Sequence, residues 1–177
     1  MPLEDYRHKR KFAETPEPKG RRRRGSSKDI FVVQKHAASH LHYDFRLAIR
    51  TEDHPLEYAE FEGVIPEGQY GAGTVMVWDT GQYQPLDGVS ASEQLARGKI
   101  DVMLHGTKLR GGFTLLRTGM VSHKERWLLI KQRDEYAVSS WDVESSSLDR
   151  SALTARSMKE IENGRLKRAR RLGQPHV

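Results

Sequence analysis

Cysteine is missing from all 177 residues. Disulfides and thiolate metal sites are therefore excluded, and a bound metal would have to use His, Asp and Glu. Long apolar runs are missing too. No stretch approaches the roughly 20 residues of a membrane-spanning helix, and the opening MPLEDYRHKR lacks the apolar core of a signal peptide. A soluble, intracellular protein without membrane contact is expected. With 36% hydrophobic and 31% charged residues in 20.3 kDa, the chain is polar yet large enough for one domain with a true core, and hardly for two.

The net charge of +6 is unevenly placed. Arg7 to Arg24 holds nine Lys/Arg against Glu14 and Glu17, and Arg156 to Arg171 holds seven against Glu160 and Glu162. Between them, Gly25 to Ala155 is slightly acidic, with fourteen Lys/Arg against eighteen Asp/Glu. Basic ends around an acidic body suit arms that grip a polyanion and a centre that holds a cation. Basic tails also serve solubility alone, but Arg21–Arg24 is a concentrated block, which favours nucleic acid.

Three regions follow. Residues 1–29, with TPEPKGRRRRGSS, read as an irregular basic arm. Residues 30–155 carry a series of short strand signals joined by Gly-bearing turns: IFVVQ, TVMVWD after the Gly-rich PEGQYGAG, KIDVMLH, GFTLLRT and RWLLIKQ. The series predicts a mainly β protein, a small closed or curved antiparallel β-barrel with two or three short flanking helices. Two capping-box pairs mark helices, Ser90 with Glu93 before a stop at Gly98, and Ser157 with Glu160 before Gly164. Residues 156–177 read as that short helix and a basic tail.

The densest chemistry lies in QKHAASHLHYDFRL, Gln34 to Leu47, with three of the chain's eight histidines. Leu41, Tyr43, Phe45 and Leu47 alternate with His42, Asp44 and Arg46, a period-2 strand with one apolar and one chemical face. Gln34 and His36 share the even parity, and a bend between His36 and His42 would let His36, His42 and Asp44 converge. Two imidazoles and a carboxylate suit manganese, iron or zinc, and Arg46 beside them could hold a metal-bound anion. The same spacing fits a solvated strand face, or a two-His-one-carboxylate iron oxygenase, although an oxygenase of small organic acids needs no basic arms. A second cluster, RTEDHPLEY from Arg50 to Tyr58, places Glu52 and His54 in one parity. A histidine near carboxylates can act as general acid or touch phosphate, but EDHP is also an ordinary strand end.

These stretches, with YRHKRKFAETPEP, EFEGVIPEGQYGAGTVMVWDTG, LHGTKLRGGFTLLRT, WLLIKQRDEYA and RSMKEIENG, resemble the 3′-phosphoesterase module of bacterial ligase D and its stand-alone relatives, over most of the chain and in the family's order. The resemblance implies a β-barrel and a manganese-dependent enzyme, with other divalent transition metals as substitutes, in the prokaryotic cytoplasm. It would remove a 3′-terminal ribonucleoside and then the 3′-phosphate from primer ends during end joining. The implied metal ligands are His36, His42 and Asp44. Gln34 and Arg46 would lie beside the metal against phosphate, and His54 would face the scissile phosphate, with Glu52 and Tyr58 nearby. Arg10 and Glu17 would fold back over the site. Arg50 is a further phosphate-contact candidate. The implied partners are the 3′ ends of primer–template DNA or RNA–DNA, with separate ligase, polymerase or Ku proteins, and a monomer is expected.

Two departures stand out. Arg10-Lys11-Phe12 replaces the family's usual Arg-Asp-Phe. After Leu47 the family continues through a Gly turn and another strand carrying an active-site lysine, whereas here Leu47 runs directly into AIRTEDHPLEY. In a meander, the strands before and after the missing one run the same way, so joining them predicts one strand over Leu41–Glu52. Asp44 and His54 would then lie roughly 30 Å apart at ~3.3 Å per residue, leaving the metal half in place and His54 displaced.

Overall fold

The computed structural model describes residues 8–19, 29–49, 56–122 and 124–164. The β-branched and aromatic run Ile30–Ala37 forms β1, a bend over 38–40 reverses the chain, and Leu41–Leu47 returns antiparallel as β2. Gly63–Ile65 is β3, and Gly73–Pro85 is the long β4. Helix α1 (Ala91–Arg97) precedes β5 (Lys99–Gly106), β6 (Arg110–Val121), β7 (Lys124–Lys131) and helix α2 (Met158–Glu162). The strands form one antiparallel sheet in the order β2-β1-β4-β5-β6-β7, with β3 also on β4. The sheet is a curled half-barrel. It is mainly β and antiparallel, as expected, and the curved alternative holds: β2 and β7 end the order and are not paired with each other.

The curl follows from bulges and close approaches. Register shifts between Val33 and Gln34 on β1, where β4 carries an extra residue, and between Arg117 and Gly119 on β6. Such insertions sharpen strand twist and bend a sheet. At Gly73, φ is 138°, and a Cβ would lie 2.2 Å from the Ala37 carbonyl oxygen. Only glycine lets β4 pass that close to the end of β1.

Alternation supplies the main core. Phe31 and Val33 of β1, Met76, Trp78 and Tyr83 of β4, Ile100, Val102 and Leu104 of β5, and Ile161 of α2 form one buried cluster, joined by Tyr43, Phe45 and Leu47 from β2. A smaller cluster of Phe61, Ile65 and Val75, with Tyr58 against it, forms apart from it. Buried Asp79 gathers the turn after β5: its carboxylate accepts from the N–H groups of Thr107 (2.9 Å), Lys108 (3.1 Å) and Leu109 (2.7 Å).

Both expected helices form with reciprocal capping boxes at Ser90/Glu93 and Ser157/Glu160, and Gly98 closes α1 in the left-handed region at φ 77°. The single strand expected over Leu41–Glu52 does not form. The β2 strand ends at Leu47 because β1, its partner, begins at Ile30. The Ala48 N–H bonds the Ile30 carbonyl at 2.9 Å, and the Ile49 N–H then closes back on the Leu47 carbonyl at 3.0 Å. Ile49 packs against the main core, and the Ala48 carbonyl accepts from the Tyr83 hydroxyl at 3.2 Å. The chain thus turns at Ala48. Arg21–Arg24, the basic tail beyond Gly164, and Arg50, Glu52 and His54 lie outside the described residues.

Candidate metal and phosphate site

The β1–β2 hairpin brings the even-numbered residues of both strands to one face. Directly opposed pairs are His36 with His42, Gln34 with Asp44, and Val32 with Arg46. One ligand atom each from His36, His42 and Asp44 lies within 4.8 Å of the others. The spacing and the bend therefore converge as the parity argument required, and the register makes His36 and His42 neighbours, with ring centroids 4.8 Å apart.

The donor set fits a divalent transition metal. His36 is buried, and its Nε2 has no hydrogen-bond partner. A buried lone pair or N–H left unsatisfied is costly, and a metal ion would resolve it. Burial, followed by the neighbouring His42, holds the His36 imidazole below its ordinary pKa, which keeps it neutral and able to ligate. In His42, Nδ1 lies 2.9 Å from the His40 carbonyl. Donation there fixes the tautomer with Nε2 as the free lone pair, and that atom is 4.0 Å from an Asp44 oxygen. His36, His42 and Asp44 would hold the ion, supplying Lewis-acid polarisation of a phosphoryl oxygen.

Beside this cluster stands a cationic and aromatic stack. Arg46 donates to Asp44 at 3.1 Å and to the Gln34 side-chain oxygen. Its guanidinium lies 5.2 Å from the Tyr58 ring centroid, and that of Arg10 lies 5.6 Å from the same ring. Burial pushes the Tyr58 hydroxyl above its ordinary pKa, so it stays a protonated donor. Arg10 is held by Glu17 at 2.7 Å, and Glu17 also accepts from Thr15 at 3.0 Å. The N-terminal segment thus packs against the site, with both partners of the Arg10–Glu17 pair almost wholly buried. Lys11, the cation in place of an acidic residue, is exposed and 3.9 Å from Glu14.

Gln34 stands at the site with its amide committed. It donates to the carbonyls of Tyr58 (3.0 Å) and Phe61 (3.1 Å) and accepts from Arg46. It therefore ties the 3-10 turn at Leu56–Glu60 to β1 and aims Arg46. Of the eleven residues singled out in the sequence, eight come together: Arg10, Glu17, Gln34, His36, His42, Asp44, Arg46 and Tyr58. Arg50, Glu52 and His54 are those outside the described residues. The rim of the site went unread. Loop 66–72 lies against His36, where a Cβ at Gly71 would stand 3.8 Å from the ring, and Gln69 donates to Glu14 at 2.7 Å. The signal was the three glycines of GQYGAG, which mark a chain passing close to another.

The half-barrel thus gathers a His-His-Asp cluster beside two guanidinium groups. Residues 46–117 match the DNA ligase D 3′-phosphoesterase domain. The chain is 43% identical over 164 residues to the multifunctional non-homologous end joining protein LigD of Pseudomonas aeruginosa, covering 78% of this chain and 19% of that protein. It is 38% identical over 161 residues to the LigD protein of Mycobacterium tuberculosis strain H37Rv, covering 75% of this chain and 20% of that one. For Mycolicibacterium smegmatis LigD the identity is 34% over 163 residues, with 75% and 21% covered. The chain belongs to the ligase D 3′-phosphoesterase domain family and spans about a fifth of the length of these relatives. The Pseudomonas alignment runs over 164 positions but takes in 78% of 177 residues, ~138, so the relative carries ~26 positions there that this chain lacks. The family match itself begins at Arg46, beside the Leu47–Ala48 junction.

Proposed function

We propose that this chain is a manganese-dependent 3′-end-healing phosphoesterase, acting on the 3′-terminal ribonucleoside and 3′-phosphate of primer ends. The observation that carries the reading is the convergence of His36, His42 and Asp44, with a buried and unpartnered Nε2, next to Arg46 and Arg10. Manganese is the expected ion, and other divalent transition metals fit the same donors.

In this reading the phosphate of the 3′ end lies between the metal ligands and the Tyr58 stack. Arg46 and Arg10 offset charge developing on its oxygens, and their pairing with Asp44, Gln34 and Glu17 holds them in place before substrate arrives. His54, with Glu52, is the candidate proton donor to the leaving oxygen, and Arg50 a further phosphate contact. The family and the basic arms support a nucleic-acid partner, and we propose with it separate ligase, polymerase or Ku proteins, a monomeric state and a prokaryotic cytoplasmic setting. No helix among the described residues is long and apolar enough to cross a membrane.

The test is release of inorganic phosphate from a 3′-phosphate primer–template in manganese. The chain should turn over, while His42→Ala and Asp44→Ala should lose at least about 100-fold. Absence of turnover in the manganese-loaded wild type would overturn the enzyme reading.

A second reading, a nucleic-acid-binding module with weakened catalysis, draws on the ~26 positions lacking relative to the Pseudomonas protein. It predicts salt-sensitive primer–template binding without reaction. Neutralising Arg21–Arg24 should then weaken affinity and flatten the salt slope.

A further inference from the structure

The loop between β3 and β4 is built to present one side chain. The Gln69 N–H bonds the Pro66 carbonyl at 3.2 Å, and the Ala72 N–H bonds the Gln69 carbonyl at 3.1 Å, so two successive turns shape it. Gly68 and Gly71 take the left-handed conformation at φ 80° and 79°, and Gly73 anchors the end against Ala37. On either side of Tyr70 the loop is fixed. Gln69 bonds Glu14, and a Cβ at Gly71 would stand 3.8 Å from the His36 ring. Tyr70 itself projects with 52% of its surface exposed. Lys9 Nζ and the Arg10 guanidinium each lie 5.5 Å from its ring centroid.

An exposed aromatic ring, one residue from a glycine that lies beside the candidate metal ligand His36 and flanked by two cations, is suited to a single-strand binding surface. Aromatic rings stack on any base, and cations beside them track the backbone. We infer that Tyr70 is the stacking platform for the terminal nucleobase of the bound strand, with Lys9 and Arg10 neutralising the adjoining phosphates. This rests on the phosphoesterase reading above and adds to it a subsite for the base next to the reacting phosphate. Stacking is indifferent to base identity, so the subsite would favour any base over an abasic end.

The simpler role for Tyr70 is to clamp the N-terminal segment through Lys9 and Arg10. The two roles differ in how binding depends on the base. The probes are primer–templates ending in a hydrolysis-resistant 3′-methylenephosphonate, one with a normal terminal nucleotide and one abasic there, titrated by fluorescence anisotropy against the manganese-loaded full chain. Wild type should bind the base-bearing end at least about fivefold more tightly, the lower end of a stacking contribution. Tyr70→Trp should keep that ratio, and Tyr70→Leu should bring it near one with unchanged manganese affinity. A wild-type ratio near one, or a Tyr70→Leu protein that weakens both ends equally and keeps the ratio, would overturn the inference. Failure of the phosphoesterase reading shows separately, as absence of phosphate release from the hydrolysable 3′-phosphate primer.

Discussion

Lys35 lies between Gln34 and His36 on β1 but points to the opposite face, where its ammonium meets Glu144 and Asp149 at 3.1 Å each. Tyr43, opposite it on β2, donates to Glu144 at 2.7 Å. The hairpin that carries the candidate metal ligands is thus fastened from behind to the 142–149 segment. Burial disfavours the charged Lys35, but its bonds to Asp149 and Glu144 outweigh that and raise its pKa. Burial, then Glu144, pushes Tyr43 up to about 12 from 10.0. Both groups hold their protons more tightly folded than unfolded, so their contribution is complete below pH ~10 and is lost as pH rises through the raised values. Urea unfolding should therefore show stability falling between pH ~10 and ~12, with a shallower fall in Tyr43→Phe; an identical limb in that variant would contradict the assignment. Parity in the sequence located His36, His42, Asp44 and Arg46, since strand alternation is local. It did not reveal Lys35, Glu144 and Asp149, whose partners stand more than a hundred residues apart. Nor could it show that the Gln34 amide is spent on Tyr58, Phe61 and Arg46.

The β1–β2 hairpin is the element on which the site depends, and β4 braces it. Gly73 passes beneath the Ala37 carbonyl at the start of the 38–40 bend. Gly73→Ala would force both a left-side φ and a contact of 2.2 Å with that oxygen. The expected cost is about 2 kcal/mol or more, read by urea unfolding, together with weaker manganese binding as His36 shifts; unchanged values of both would contradict the bracing role. The longer elements were legible. The short strand runs became β1, β2, β4, β5, β6 and β7, and both capping boxes became helix starts. The three-residue β3 and the 3-10 turn at Leu56–Glu60 were not, because neither is long enough to show a period. The failed strand over Leu41–Glu52 teaches the same lesson from the other side. Alternation continued in the sequence past Leu47, but strand pairing ended where β1 does, at Ile30.

Taken whole, the molecule is a half-barrel whose sheet order ends at β2 and β7, and β2 has no second strand partner among the described residues. At the other end Leu128, Leu129 and Ile130 of β7 are 43–53% exposed. Because β2 lacks a second strand partner among these residues, a family-like strand segment inserted after Leu47 should pair with it and extend the sheet. Stability should rise, turnover should increase at least about tenfold, and manganese affinity should change by no more than about twofold, because the candidate ligands sit on a hairpin that β4 already braces. A large gain in metal affinity without a gain in rate would contradict this division of labour. If one metal ion on this hairpin drives 3′-end chemistry, metal occupancy and rate must move together. The direct measurement is manganese occupancy by electron paramagnetic resonance, taken alongside phosphate release from a 3′-phosphate primer in the same titration. One ion should bind per chain, the rate should rise in step with occupancy, and both should be lost in His42→Ala. A fully occupied site with no phosphate released would contradict that link.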